Sequence, residues 1–104
     1  MNSRLILVAS LFIHPGHEGE FRQFETEAAR IMKKYEGTIE WVIRPTTSAQ
    51  SGSVPYEMHI VSFPSLERFE AYRGDADLAG LAPLRQAAIA RTEVIMGEEG
   101  EPYL

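Results

Sequence analysis

The chain's first apolar segment, LILVASLFI at residues 5–13, is almost unbroken and stops at the turn signal Pro15-Gly16. Such a run predicts a first buried strand. The period then lengthens to that of a helix. Phe21, Phe24, Ala28, Ile31 and Tyr35 recur at steps of three and four, so they line one helical face. Glu18 and Glu20 open this helix, Lys33 and Lys34 close it, and Gly37 follows as a stop. That order suits the helix dipole. Two β-type segments come next, TIEWVIRP at 38–45 and the alternating YEMHIVSF at 56–63. Between them TTSAQSGSVP, residues 46–55, has only Ala49 and Val54 as apolar residues and predicts a mobile loop.

After Pro64 the chain breaks its second helix into pieces. Ser65 is placed to cap a first piece with Leu66, Phe69 and Tyr72 inward, and Gly74 ends it. Asp75 or Asp77 can cap the next turn, and Pro83 suits the start of a last piece running through Ala90. RTEVIMG at 91–97 reads as a fourth strand, and 98–104 as an extended tail. The whole of 1–104 is one domain. The order β-α-β-β-α-β predicts an α+β fold, the ferredoxin-like plait. It has a four-stranded antiparallel sheet with strands 1 and 3 central. Right-handed crossovers put the helices on one face.

Alternation along the strands sorts side chains to two faces. On the helix side it places Leu5, Leu7, Ala9, Leu11 and Ile13 of the first strand, and Ile39, Trp41 and Ile43 of the second. Tyr56, Met58 and Ile60 of the third and Thr92, Val94 and Met96 of the fourth join them. The open face then carries Ile6, Val8, Phe12, Val42, Val61 and Ile95, with the polar Glu40, Arg44, Glu57 and His59 among them. An apolar face of this size predicts a homodimer packed face to face across a two-fold axis. A cavity is expected between the two sheets.

Composition narrows the partners. The 104 residues carry a net charge of −5 and no cysteine. Phosphate binding needs a basic face and none is visible, so nucleic acid is not an expected partner. Disulfide and thiol chemistry are excluded. No apolar run reaches membrane-spanning length. Only Arg4 precedes residues 5–13, and His14-Pro15-Gly16-His17 after them is no small-residue cleavage site, unlike a secretion signal. The expectation is a cytoplasmic protein.

The stretch FPSLERFEAYRGDADLAGLAPLR, residues 63–85, resembles a segment of small dimeric α/β-barrel proteins, notably the domain-of-unknown-function 1330 family. There a strand ending in Phe-Pro-Ser leads to a helix, a break and a Pro-Leu-Arg piece, matched here by Phe63-Pro64-Ser65 and Pro83-Leu84-Arg85. The antibiotic-biosynthesis monooxygenase-like and stress-responsive barrel groups are neighbouring relatives. The resemblance implies a dimeric α/β barrel. The superfamily holds cofactor-free monooxygenases, lactone isomerases, haem-degrading enzymes and proteins of no known activity. The haem-degrading set needs an asparagine, a tryptophan and a histidine. The single asparagine here, Asn2, precedes the first strand, so that set is absent and no cofactor is expected.

Candidate chemistry centres on His59, which can move a proton near neutral pH. Glu40 is its candidate catalytic partner. Val8, Phe12, Val42, Arg44, Glu57 and Val61 are candidate ligand contacts for a small hydrophobic or aromatic molecule in the barrel cavity. One hairpin register pairs Arg44 with Glu57 and sets Val42 beside His59. A slip of two residues sets Glu40 there instead. His14, His17 and Glu18 share one loop but match no metal motif, and His17 is expected to help cap the first helix. Trp41 is expected in the core. A cofactor-free monooxygenase- or isomerase-like enzyme, a non-enzymatic binding dimer, and an interaction dimer with its cavity packed shut all fit this pattern.

Overall fold

A computed structural model describes residues 4–46 and 54–103. The expected mobile loop lies mainly outside these residues. The elements run β1 (Leu5–Ile13), α1 (Glu18–Met32), a 3₁₀ turn (Lys33–Tyr35), β2 (Thr38–Ile43), β3 (Glu57–Phe63), α2 (Leu66–Arg73), α3 (Ala76–Gly80), α4 (Ala82–Ala88) and β4 (Ile89–Glu98). The strands form one antiparallel sheet in the order β2-β3-β1-β4, with β1 and β3 central as the plait requires.

Capping explains the broken layer. Ser65 Oγ accepts from Arg68 N and starts α2, while Asp75 accepts from Asp77 N and Leu78 N and starts α3. Pro83 lies in the first turn of α4, where its missing N–H has no partner to lose. The final helix ends at Ala88 rather than Ala90, because Ile89 already pairs with Ile13 in the sheet. His17 occupies the N-cap position of α1 without capping it; its Nδ1 meets Glu20 Oε2 at 3.0 Å instead. After the 3₁₀ turn, Glu36 takes the left-handed conformation.

The core has two clusters under the helix layer. Leu11, Phe21, Phe24, Ala28, Ala88 and Ile89 form one. Leu7, Met32, Val61 and Phe63 form the other. Partners directly opposite in an antiparallel pair share a face, so the register sorts the remaining residues. Leu7 opposes Val61 and Ala9 opposes His59 across β1·β3. Glu57, His59, Val61 and Phe63 therefore face the helices. Met58 and Ile60, opposite Ser10 and Val8, face away. This reverses the expectation for β3. Alternation alone sends the charged residues outward, whereas they are buried in a paired network.

Strand β2 also departs from simple parity. Ile39 opposes Val61 and Trp41 opposes Ile60, so Glu40 is an extra residue in a bulge. Beyond the bulge the faces switch. Trp41 and Ile43 turn to the open side, where Trp41 is 69% exposed, and Val42 lies opposite His59 on the helix side. Trp41 is thus not a core residue. In β4, Thr92, Val94 and Met96 oppose Leu11, Ala9 and Leu7, and Ile95 opposes Val8 on the open face, as alternation predicts.

Candidate functional site

Between the helix layer and the sheet lies a cavity of about 450 Å³. Its apolar wall draws on both core clusters, including Leu7, Leu11, Phe24, Val61 and Phe63. The polar lining is short: Glu25, His59, Tyr72, Arg73, Arg85 and Thr92. The cavity belongs to the chain's own interior, between its sheet and its helices, and not to its open sheet face.

His59 is 5% exposed and Glu57 is 6% exposed. Two residues apart on β3, they point the same way, and His59 Nε2 lies 2.7 Å from Glu57 Oε1. An ionised carboxylate only accepts, so Nε2 carries a proton and Nδ1 is the ring's other functional atom. Nδ1 faces Glu25 Oε1 of α1 at 3.6 Å. The second oxygen of Glu57 accepts from Arg44 Nε at 2.8 Å. The result is a relay from an exposed guanidinium, through a buried carboxylate, to an imidazole in the cavity wall. Glu57 fixes the ring's orientation and Arg44 balances the carboxylate's charge.

Glu25 occupies the buried stripe of α1, four residues after Phe21 and three before Ala28. Burial pushes its carboxyl above the usual range. His59 opposes that shift, Glu57 adds to it, and Arg85 opposes it. Burial likewise pushes the Tyr72 phenol up to about 12, with Glu25 adding to the shift, so Tyr72 is an O–H group at neutral pH. The site therefore combines an imidazole, a carboxyl prone to hold a proton, and a phenol along an apolar wall.

The expected residues separate across the sheet. His59 and Val61 line the cavity. Glu57 and Arg44 support His59 in the register that pairs them, and Val42 sits beside it at the strand edge. Glu40 does not join them. It lies on the open face, accepting from Ser62 Oγ and from Arg4 Nη1. Its position reflects the bulge, which sets it beside Ser62 rather than His59. Val8 and Phe12 also lie on the open face, where the Arg91 guanidinium stands 3.9 Å over the Phe12 ring. Glu25, Tyr72, Arg73 and Arg85 were not foreseen. For Glu25 the signal was available, since a carboxylate inside an apolar helical stripe is expensive to bury without a partner. Among the described residues, no group of three or more His, Asp or Glu side chains is arranged to hold a metal ion.

The fold matches known structures closely. A protein of unknown function from Rhodopseudomonas palustris superposes with a TM-score of 0.83 at 12% identity, over 98% of this chain and 86% of that one. A dabb family protein with a ferredoxin-like fold from Mesorhizobium loti gives 0.67 at 14% identity, over 96% and 100% of the two chains. SnoaB, a cofactor-independent oxygenase from Streptomyces nogalater, gives 0.68 at 12% identity, over 97% of each chain. No family model matches the sequence, and no curated protein matches it. At these identities the likeness establishes the fold, a ferredoxin-like plait of the kind found in dimeric α/β-barrel proteins.

Proposed function

We propose that this chain is a cytoplasmic, homodimeric α/β-barrel protein that binds a small hydrophobic or aromatic molecule between its sheet and its helices. His59 then moves a proton to or from that molecule. The observation that carries the reading is His59 itself, buried in the wall of an open, mostly apolar cavity with carboxylates on both sides. Glu57 holds Nε2–H, which leaves Nδ1 to take a proton from an acidic carbon or hydroxyl of the ligand. Returning that proton at a second carbon is an isomerisation and needs no further reactant. The same deprotonation would prepare an electron-rich aromatic for reaction with dioxygen. That a cofactor-independent oxygenase shares the fold supports this second course. The resemblance at Phe63-Pro64-Ser65 and Pro83-Leu84-Arg85 supports a place near the domain-of-unknown-function 1330 family.

The test is an NMR titration with 2-naphthol. Shifts are expected on the His59 ring and on methyls of Leu7, Leu11 and Val61. In His59→Gln, which keeps a donor toward Glu57, the affinity should fall by about tenfold, the loss of one good polar contact. Shifts confined to Val8, Ile60 and Ile95 would move the site to the open face and overturn the assignment.

A further inference from the structure

Resting on this reading of the cavity, we propose that its ligand is an amphipathic organic anion, an aromatic carboxylate, with the charged head at Arg73 and Arg85 and the apolar body against the sheet. The chain as a whole carries −5, yet the cavity reverses the sign. Its charged lining is Arg73 and Arg85 against Glu25, with His59 as the remaining titratable base. Glu57, just behind, is already matched by Arg44 and His59.

Neither guanidinium is held in a direct ion pair, although Arg85 acts on Glu25 through space. Elsewhere Arg4, Arg30, Lys34 and Arg44 all pair with acids at 2.8–2.9 Å. Arg73 instead stands 5.7 Å over the Phe69 ring, and Arg85 donates to the Thr92 hydroxyl at 3.0 Å. Among the described residues neither lies within ion-pair distance of a carboxylate. A guanidinium presents five N–H donors in a planar fork, so most of their capacity remains open.

Depth orients the ligand. Both arginines are exposed, one at the end of α2 and one on α4, and the small residues Ala79 and Ala82 line the cavity between those helices. His59 is buried deeper in the lining, with Glu25 beside it. A carboxylate pushed inward would meet Glu25 and Glu57. Turned outward it meets two cations. The carbon presented to His59 is therefore one distant from the acid group.

Matched probes test this. 2-Naphthoate and its neutral isostere 2-naphthamide share an apolar body, and binding of each is measured by calorimetry. We expect naphthoate to bind at least tenfold more tightly. The preference should shrink in 0.5 M salt and vanish in the Arg73→Gln, Arg85→Gln double variant, with naphthamide affinity falling far less than naphthoate affinity. Both arginines are exposed, so the variant should keep its far-UV circular dichroism; the salt series on the unmodified protein provides an independent measurement. Equal affinity for both probes, or a preference untouched by salt, would overturn the anion assignment and leave the cavity reading standing. Failure of both probes to bind would overturn both readings.

Discussion

A Cβ placed on Gly37 would lie 2.4 Å from Met32 Cγ and 2.6 Å from Phe63 Cε1. Met32 can swing away, but the Phe63 ring is 1% exposed and has nowhere to move. Gly37 is therefore a packing residue, letting the backbone entering β2 pass under an aromatic ring. The left-handed turn itself falls on Glu36. Gly37→Ala should cost about 2 kcal/mol, the usual scale of overpacking, read as a lower urea midpoint with an unchanged slope. A midpoint equal to the parent's would contradict this account. Single residues were legible where their chemistry is local, as with a stop signal at Gly37. They were misread where a distant partner decides. Glu57 and His59 look like open-face residues because charged groups are rarely buried unpaired inside one chain's core. One hairpin register already offered Arg44 to Glu57, but Glu25 faces His59 from α1, and alternation along the strands does not bring it into view.

The pieces of the broken helix are fastened at their joint. Asp75 caps α3 and also accepts from the Tyr35 hydroxyl and from Lys34 Nζ, both on the turn that follows α1. The Tyr35 hydrogen bond first, and Lys34 next, hold the Asp75 carboxyl well below the usual range. A carboxyl depressed on folding stabilises the native state above its unfolded value, and that stabilisation is lost as pH falls through the folded value. Asp75→Asn should therefore lower the melting temperature at neutral pH. The gap should narrow as pH drops below about 4, where the unfolded carboxyl takes up its proton. A gap that stays constant into strong acid would show the charge to be irrelevant. Caps of this kind were readable from Ser65, Asp75 and Pro83 because each acts within three residues. The bulge in β2 was not, since TIEWVI contains no glycine or proline to mark it.

Across the molecule, the order of elements and the central place of β1 and β3 followed from periodicity and crossover handedness alone. The faces did not, because two of four strands depart from the parity assumed for them. After correction the open face is more apolar than expected. Trp41, Ile43, Met58 and Ile60 join Ile6, Val8, Phe12 and Ile95 there. Ile95 is 72% exposed, so charging it should disturb the folded chain little. If two copies pack through this face, Ile95→Asp should give a monomer in light scattering at micromolar concentration. Trp41 emission should shift to the red as water reaches the indole. A variant that remains dimeric with unchanged emission would place the contact elsewhere. Val42→Asp should leave association intact, because Val42 lies on the other side of the sheet.

The extra residue in β2 has an evolutionary consequence. Remove the codon for Glu40 and Ile39, Trp41 and Val42 already alternate in, out, in, so every neighbour keeps its side of the sheet. Glu40 behaves as an insertion, adding one carboxylate, anchored by Arg4 and Ser62, to an oily surface without displacing any side chain. A lineage can thus retune the stickiness of that surface by gaining or losing a single codon, leaving the cavity side of the same strand unaltered.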